Sequence, residues 1–416
     1  MKVPSITDAR PLASMNATLP TGVGLVVVLL LVGSAVAVVV RFLPLPYESV
    51  LALIGVVVGV TLGRGSLPGV SGDLILFVLL PGLLFEAGFR LRWALLRENL
   101  VAVVALATAG VGLTTAVVGA LGHWALGLTV PFAILLGAMV APTDPVAVTA
   151  LLQRLGMPER LRNLFEAESL INDGTGVVVF TIALAATTAG TFAPASIVLD
   201  FVRLAGGGTA LGLALGFAIS FVTSRIDDMR VELSLTAVAA YGGYLLGNLT
   251  GVSGILVVVA AAIVLGNFGR PRAMSTRTQE AADIFWDYVA FVLNTIVFVL
   301  IGVAVPLPQL LAQPLAIMVG IAVALVARAA AVYLLLPPLA PLRQRVPLRW
   351  QHLLVWGGLR GAVATALALS LAGRGDRYEQ VRALTYGVVL ASILLQGVTF
   401  GPLARLVLRD GNPASP

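Results

Sequence analysis

The 416 residues predict an all-α polytopic membrane protein with about 13 spanning helices. Three observations carry that fold class. Hydrophobic residues make up 59% of the chain and charged residues 11%, with a mean hydropathy of +1.01. A soluble domain carries about 25% charged residues, because a chain folded in water needs a polar exterior. The apolar residues fall in continuous runs, and about 20 residues at 1.5 Å each cross a 30 Å hydrocarbon core. These runs lack the alternation of a membrane strand, which excludes a β-barrel.

In chain order the runs are 21–43, 46–63, 71–89, 99–122, 129–153, 162–188, 196–223, 232–248, 252–267, 281–303, 310–336, 352–372 and 380–406. The first follows Lys2 and Arg10 and holds Ala35-Val36-Ala37, as a signal peptide would. Its apolar stretch from Gly22 to Val40 is longer than a usual signal core, however, and the triplet lies inside it, so it reads as a spanning helix. With the N-terminus outside, cytoplasmic segments hold 17 of the 26 Lys and Arg residues, including Arg90, Arg92 and Arg97, and outer segments hold 7. Such an excess marks cytoplasmic loops. An odd number of spans and a cytoplasmic C-terminus follow. The expected organisation is an extracytoplasmic segment 1–20, one membrane domain 21–406 and a short cytoplasmic tail 407–416.

Composition also narrows the function. The chain has no cysteine, hence no disulfide, thiolate metal site or thiol nucleophile, and its two histidines are too few for an imidazole cage. The basic excess is scattered between apolar runs, as membrane topology requires, rather than gathered into a nucleic-acid surface. No Gly-x-Ser-x-Gly elbow occurs. Asp144 and Asp173 could be paired as an intramembrane aspartyl protease, yet Pro-Thr-Asp-Pro and Asn-Asp-Gly are not the Gly-x-Gly-Asp arrangement of such enzymes. No cofactor is expected.

Ionisable groups at membrane depth cost at least about 2.5–3.5 kcal/mol each, so they mark function. Away from the ends of the runs, six are read as lying at membrane depth: Glu86, Asp144, Glu168, Asp173, Arg328 and Arg360. Four acids against two bases suit a cation. Asp144 lies in Ala141-Pro142-Thr143-Asp144-Pro145, where two prolines remove two amide donors and disfavour helix before each ring. The helix should open there, freeing carbonyls, notably that of Thr143, as cation ligands; the alternative is a proline kink with Asp144 capping a half-helix, a role that can also accompany ion binding. In Glu168-Ser169-Leu170-Ile171-Asn172-Asp173, Ser169 and Asp173 share one helical face and Glu168 and Asn172 another. Ser169 and Asp173 are read as facing the ion, and Glu168 with Asn172 as tying the helix to its neighbours. Arg360, in Gly357-Gly358-Leu359-Arg360-Gly361, needs a buried carboxylate, and Glu168 is the expected partner. Glu86 either joins the site or pairs with Arg90 at i,i+4, and Arg328 has no local motif and reads as structural.

Pro142-Thr143-Asp144-Pro145, Glu168 through Asp173, and Gly358-Leu359-Arg360-Gly361-Ala362, in that order on three helices, closely resemble the sodium/proton exchanger branch of the monovalent cation:proton antiporters. Phe285-Trp286-Asp287 through Gly302 looks like a fourth segment of that family. The resemblance implies inverted repeats of about thirteen helices, two discontinuous helices crossing near midplane, a dimerisation domain and a six-helix ion-transport bundle, usually as a homodimer in a prokaryotic cell membrane. It implies that Asp173 is the ion- and proton-binding aspartate, Asn172 its neutral neighbour in electroneutral members, Ser169 and the Thr143 carbonyl further Na+ ligands, Asp144 the acid at the crossover, and Glu168 with Arg360 a buried ion pair. Glu86 matches a family acid near the site. Pro81-Gly82 departs from a frequent double proline.

The chemistry expected of such a site is competition. Desolvation favours the protonated form of a carboxyl, and a cation beside it favours the ionised form, so one group serves either species. If only loaded forms rock across the membrane, a gradient of one drives the other. Oxygen ligands suit Na+ or Li+, and Asn172 supplies no second titrating group, so exchange with H+ should be one for one. K+ is the alternative cation, since ligand type alone does not set cavity size. A passive cation channel is the alternative class, disfavoured by a single buried carboxylate beside broken helices.

Overall fold

Every apolar run is mainly helical over its described residues, and the one strand-like feature there is an isolated antiparallel bridge between Asp144 and Leu359. The computed structural model describes residues 21–40, 42, 45–61, 72–189, 194–342 and 346–409. The expected segment 1–20, the tail from 410, and Arg41, Arg64, Arg343 and Arg345 of the topology count lie outside the described residues.

The helices are α1 (Thr21–Val39), α2 (Tyr47–Thr61), α3 (Leu80–Arg90), α4 (Trp93–Leu126), α5 (Val130–Val140), α6 (Val146–Arg154), α7 (Glu159–Ala189), α8 (Ser196–Thr223), α9 (Met229–Ala237), α10 (Gly243–Thr250), α11 (Gly254–Ala273), α12 (Thr276–Ala304), α13 (Pro314–Leu335), α14 (Leu348–Trp356), α15 (Ala362–Ser370) and α16 (Asp376–Val407). Among the described residues, seven helices are long and apolar enough to cross a bilayer by length and composition. Local sequence sets several starts. Asp228 accepts from the backbone N–H of Arg230 and Val231 to cap α9, and Ser253 and Ser275 cap α11 and α12. Proline sits in the first turn of α5 and of α13, where its missing N–H costs nothing. Single π turns interrupt α4 at Leu106–Gly110, α8 at Val202–Gly206 and α16 at Ser392–Gln396.

Two runs open as their sequences require. The fifth divides into α5 and α6 around Pro142 and Pro145, and the twelfth into α14 and α15 around Gly357, Gly358 and Gly361. The gaps meet: the Asp144 N–H donates to the Leu359 carbonyl at 2.9 Å. Around this crossing α4–α7 and α13–α16 pack on one another as one bundle. A second group is built on α12 and α11, with α1, α2 and α3 among its members, and α3, α11 and α12 meet the bundle along α7 and α15.

Candidate ion-binding site

Breaking two helices inside the bundle leaves four helix ends, each with unpaired backbone groups that must find partners. Charged side chains supply them. The Asp144 carboxylate accepts from the N–H of Val146, at 3.1 Å, and from that of Ala362, the first residues of α6 and α15. One carboxylate thus caps two helix N-termini, where negative charge complements the dipoles. Arginines take the C-terminal ends. Arg360 Nη1 donates to the carbonyls of Ala141 and Pro142, past the end of α5, at 3.4 Å each, and Arg328 Nε donates to the Leu354 carbonyl in the last turn of α14 at 3.2 Å. Two glycines make room for this. A Cβ on Gly361 would strike the Asp144 carboxylate, and one on Gly358 would lie 2.8 Å from Arg328 Nε.

The expected pairing of Glu168 with Arg360 is corrected. Glu168 is held by Arg328, both carboxylate oxygens receiving guanidinium N–H groups at 2.9 Å, and both side chains are buried. Arg360 instead donates to the carbonyls past the end of α5, and the Glu168 charge acts on it without forming an ion pair. Arg328, 160 residues from Glu168, carries no motif around it. Only the packing of α13 against the bundle brings the two together.

Helix α7 runs unbroken through Glu168 and Asp173, so the acidic cluster is helical and lies in a segment long and apolar enough to span a bilayer. Glu168 and Asn172 share a face as their spacing requires, Asn172 Nδ2 donating to Glu168 Oε1 at 2.8 Å. Asn172 also clamps the break: its Oδ1 accepts the Thr143 N–H at 3.1 Å and its Nδ2 donates to Thr143 Oγ1 at 2.8 Å. These bonds make it a positioning residue, with its carbonyl oxygen already committed. Thr143 Oγ1 and Ser169 Oγ share a hydrogen bond of 2.9 Å, and both residues are buried.

Asp173 stands apart from this network. Among the described residues its carboxylate takes part in no hydrogen bond or ion pair, and its charged neighbours are Asp144 and Glu168. It lines a cavity of about 330 Å3 together with Asp144, Glu86, Thr149, Glu166 and Asn294, walled by leucines of α3. Asp173, Asp144 and Glu86 are therefore brought together on one cavity, while Thr143 and Ser169 are not among its lining residues. Glu86 pairs with Arg90 at 2.7 Å, the i,i+4 alternative open at the sequence level, and Arg90 also pairs with Asp287. No group of three or more His, Asp or Glu side chains suited to hold a resident metal occurs among the described residues.

A family described as sodium/hydrogen exchanger, transmembrane, matches residues 26–406. The chain is 40% identical over 362 residues to the Na+/H+ antiporter ApNhaP of Aphanothece halophytica, covering 86% of this chain and 69% of that one. It is 37% identical over 345 residues to the Na+/H+ antiporter NhaP of Pseudomonas aeruginosa, covering 80% and 81%. The solved structure of the sodium proton antiporter MjNhaP1 from Methanocaldococcus jannaschii superposes with a TM-score of 0.78 at 23% identity, over 93% of this chain and 98% of that one, which shows a shared fold. With the family match running through both broken helices and α7, this multi-pass membrane chain belongs to the transmembrane sodium/hydrogen exchanger family.

Proposed function

We propose that the chain exchanges Na+ or Li+ for H+ across a prokaryotic cell membrane, one for one, by alternating access, with Asp173 holding either the cation or the proton. The observation that carries this reading is the Asp173 carboxylate: unpartnered among the described residues, beside the charge of Asp144, and lining a cavity with Glu86 and Arg90. A carboxylate with no internal partner gains from a cation or a proton and can surrender either. Asp144 is committed to two helix ends, and Glu86 to Arg90, which leaves Asp173 as the group that changes load.

In this reading Asp144 contributes charge from the crossing, and Thr143 and Ser169 supply further oxygen ligands. Asn172 fixes Thr143 and Glu86 guards the cavity mouth. The Glu168–Arg328 pair holds α7 to α13 so that Asp173 keeps its place while the bundle rocks against α12 and its partners. Thirteen spans, an outer N-terminal segment 1–20, a cytoplasmic tail 407–416 and a homodimer belong to the same proposal. The arginine-rich loops are then cytoplasmic.

Everted or reconstituted vesicles with an imposed acidic interior test it. Adding Na+ or Li+ is expected to dissipate the pH gradient. Dissipation by K+ alone would replace the cation in this reading. Transport that generates a membrane voltage would overturn the one-for-one stoichiometry, and proton release by no cation would favour a channel.

A further inference from the structure

A second cavity, of about 460 Å3, flanks α6 on another of its faces. Val146 and Thr149 line the cavity of Asp173, whereas Ala147, Ala150, Leu151 and Arg154 line this one. Its other walls are the start of α2, with Glu48, and the last turns of α16, with Arg405. Glu48 is only 5% exposed, and the positions on either side of it are pinned: Tyr47 hydroxyl shares a hydrogen bond with Thr295 at 2.7 Å, and Ser49 Oγ donates to the Ile393 carbonyl at 2.9 Å. None of the ion pairs among the described residues includes Glu48, Arg154 or Arg405. Both arginines are exposed, on long flexible side chains, and both belong to the bundle, while Glu48 belongs to the other group.

A buried carboxylate without an ion pair has two ways to lower its energy: take up a proton, or draw in a cationic side chain. Glu48 has both within reach of one crevice. We propose that Glu48 is a proton-binding site that latches the bundle: ionised, it draws Arg154 and Arg405 across the crevice and closes it; protonated, it lets them go. The groups that face Glu48 are Arg154 from α6, Arg405 from α16, Asp144 at the crossing and Tyr47 on its own helix, whereas Thr295 of α12 and Ile393 of α16 offer no titrating group. The latch rests on the bundle moving against α2, which the proposed exchange also requires. It acts on a different carboxylate and a different cavity from those of Asp173.

Because the chain has no cysteine, a single thiol reports on the crevice without interference. Ala150→Cys in otherwise intact purified protein is labelled with a charged maleimide over a range of pH, and its rate is divided by the rate for the same thiol in an E48Q background, so that thiol ionisation cancels. The ratio is expected to be about one near pH 6 and to fall to about one third near pH 8.5 as ionised Glu48 closes the crevice. The double variant R154Q/R405Q, at two exposed positions, should remove the pH dependence in the same way and serves if E48Q does not fold. A ratio that is constant with pH in both backgrounds, at one or at any other value, overturns the latch. The readout needs no transport, so failed labelling and failed exchange are distinguishable.

Discussion

Asp173→Asn is expected to reduce Na+-driven proton release in vesicles to the level of protein-free controls while leaving the fold intact. The amide keeps the size of the side chain but neither ionises nor holds a transferable proton. Since the Asp173 carboxylate makes no hydrogen bond or ion pair among the described residues, the substitution removes no internal contact. Thermal unfolding in detergent should therefore match the parent. Asp144→Asn should behave differently, because it weakens the cap on both α6 and α15 and costs about 1 kcal/mol or more of stability along with exchange. If Asp173→Asn still exchanges cations for protons, the carboxylate that changes load is Asp144 or Glu86.

Arg328→Met is expected to be the most destabilising single change at the site, by about 3–5 kcal/mol, because it leaves Glu168 charged, buried and unpaired. The loss also frees the Leu354 carbonyl at the end of α14 and loosens the grip of Glu168 on Asn172. Adding Glu168→Gln to Arg328→Met should recover a large part of the stability, since the neutral amide no longer needs a counter-charge and keeps an oxygen for Asn172. The unfolding midpoints of the two single variants and the double variant form the test. Additive losses would show that the two side chains do not form the pair described.

The same two arginines mark how far sequence reasoning reaches. The breaks were legible, because Pro142, Pro145 and the glycines of 357–361 act on their own backbone and their neighbours. So was the pairing of polar residues along α7, which depends only on 100° per residue. The partner of Glu168 was not. Arg360 announces itself by its glycines, yet those glycines serve Asp144 and Arg328, and the guanidinium that reaches Glu168 comes from an unmarked position on α13. Charge and spacing identify what needs a partner; tertiary packing selects it. Glu48 escaped for a related reason: at the edge of an apolar run it reads as an interfacial residue, and only α6 and α16 closing over it make it buried. The double role of Asp144 at two helix ends was half visible, since its own half-helix is local and α15 is not.

The central claim is that one carboxylate takes either the cation or the proton, and the pH dependence of Na+ affinity in wild-type vesicles tests it most directly. One-site competition requires the KM for Na+ to rise about tenfold for each pH unit of acidification across the acidic limb, with an unchanged maximal rate. A KM independent of pH, or one rising about a hundredfold per unit, would contradict a single shared carboxylate.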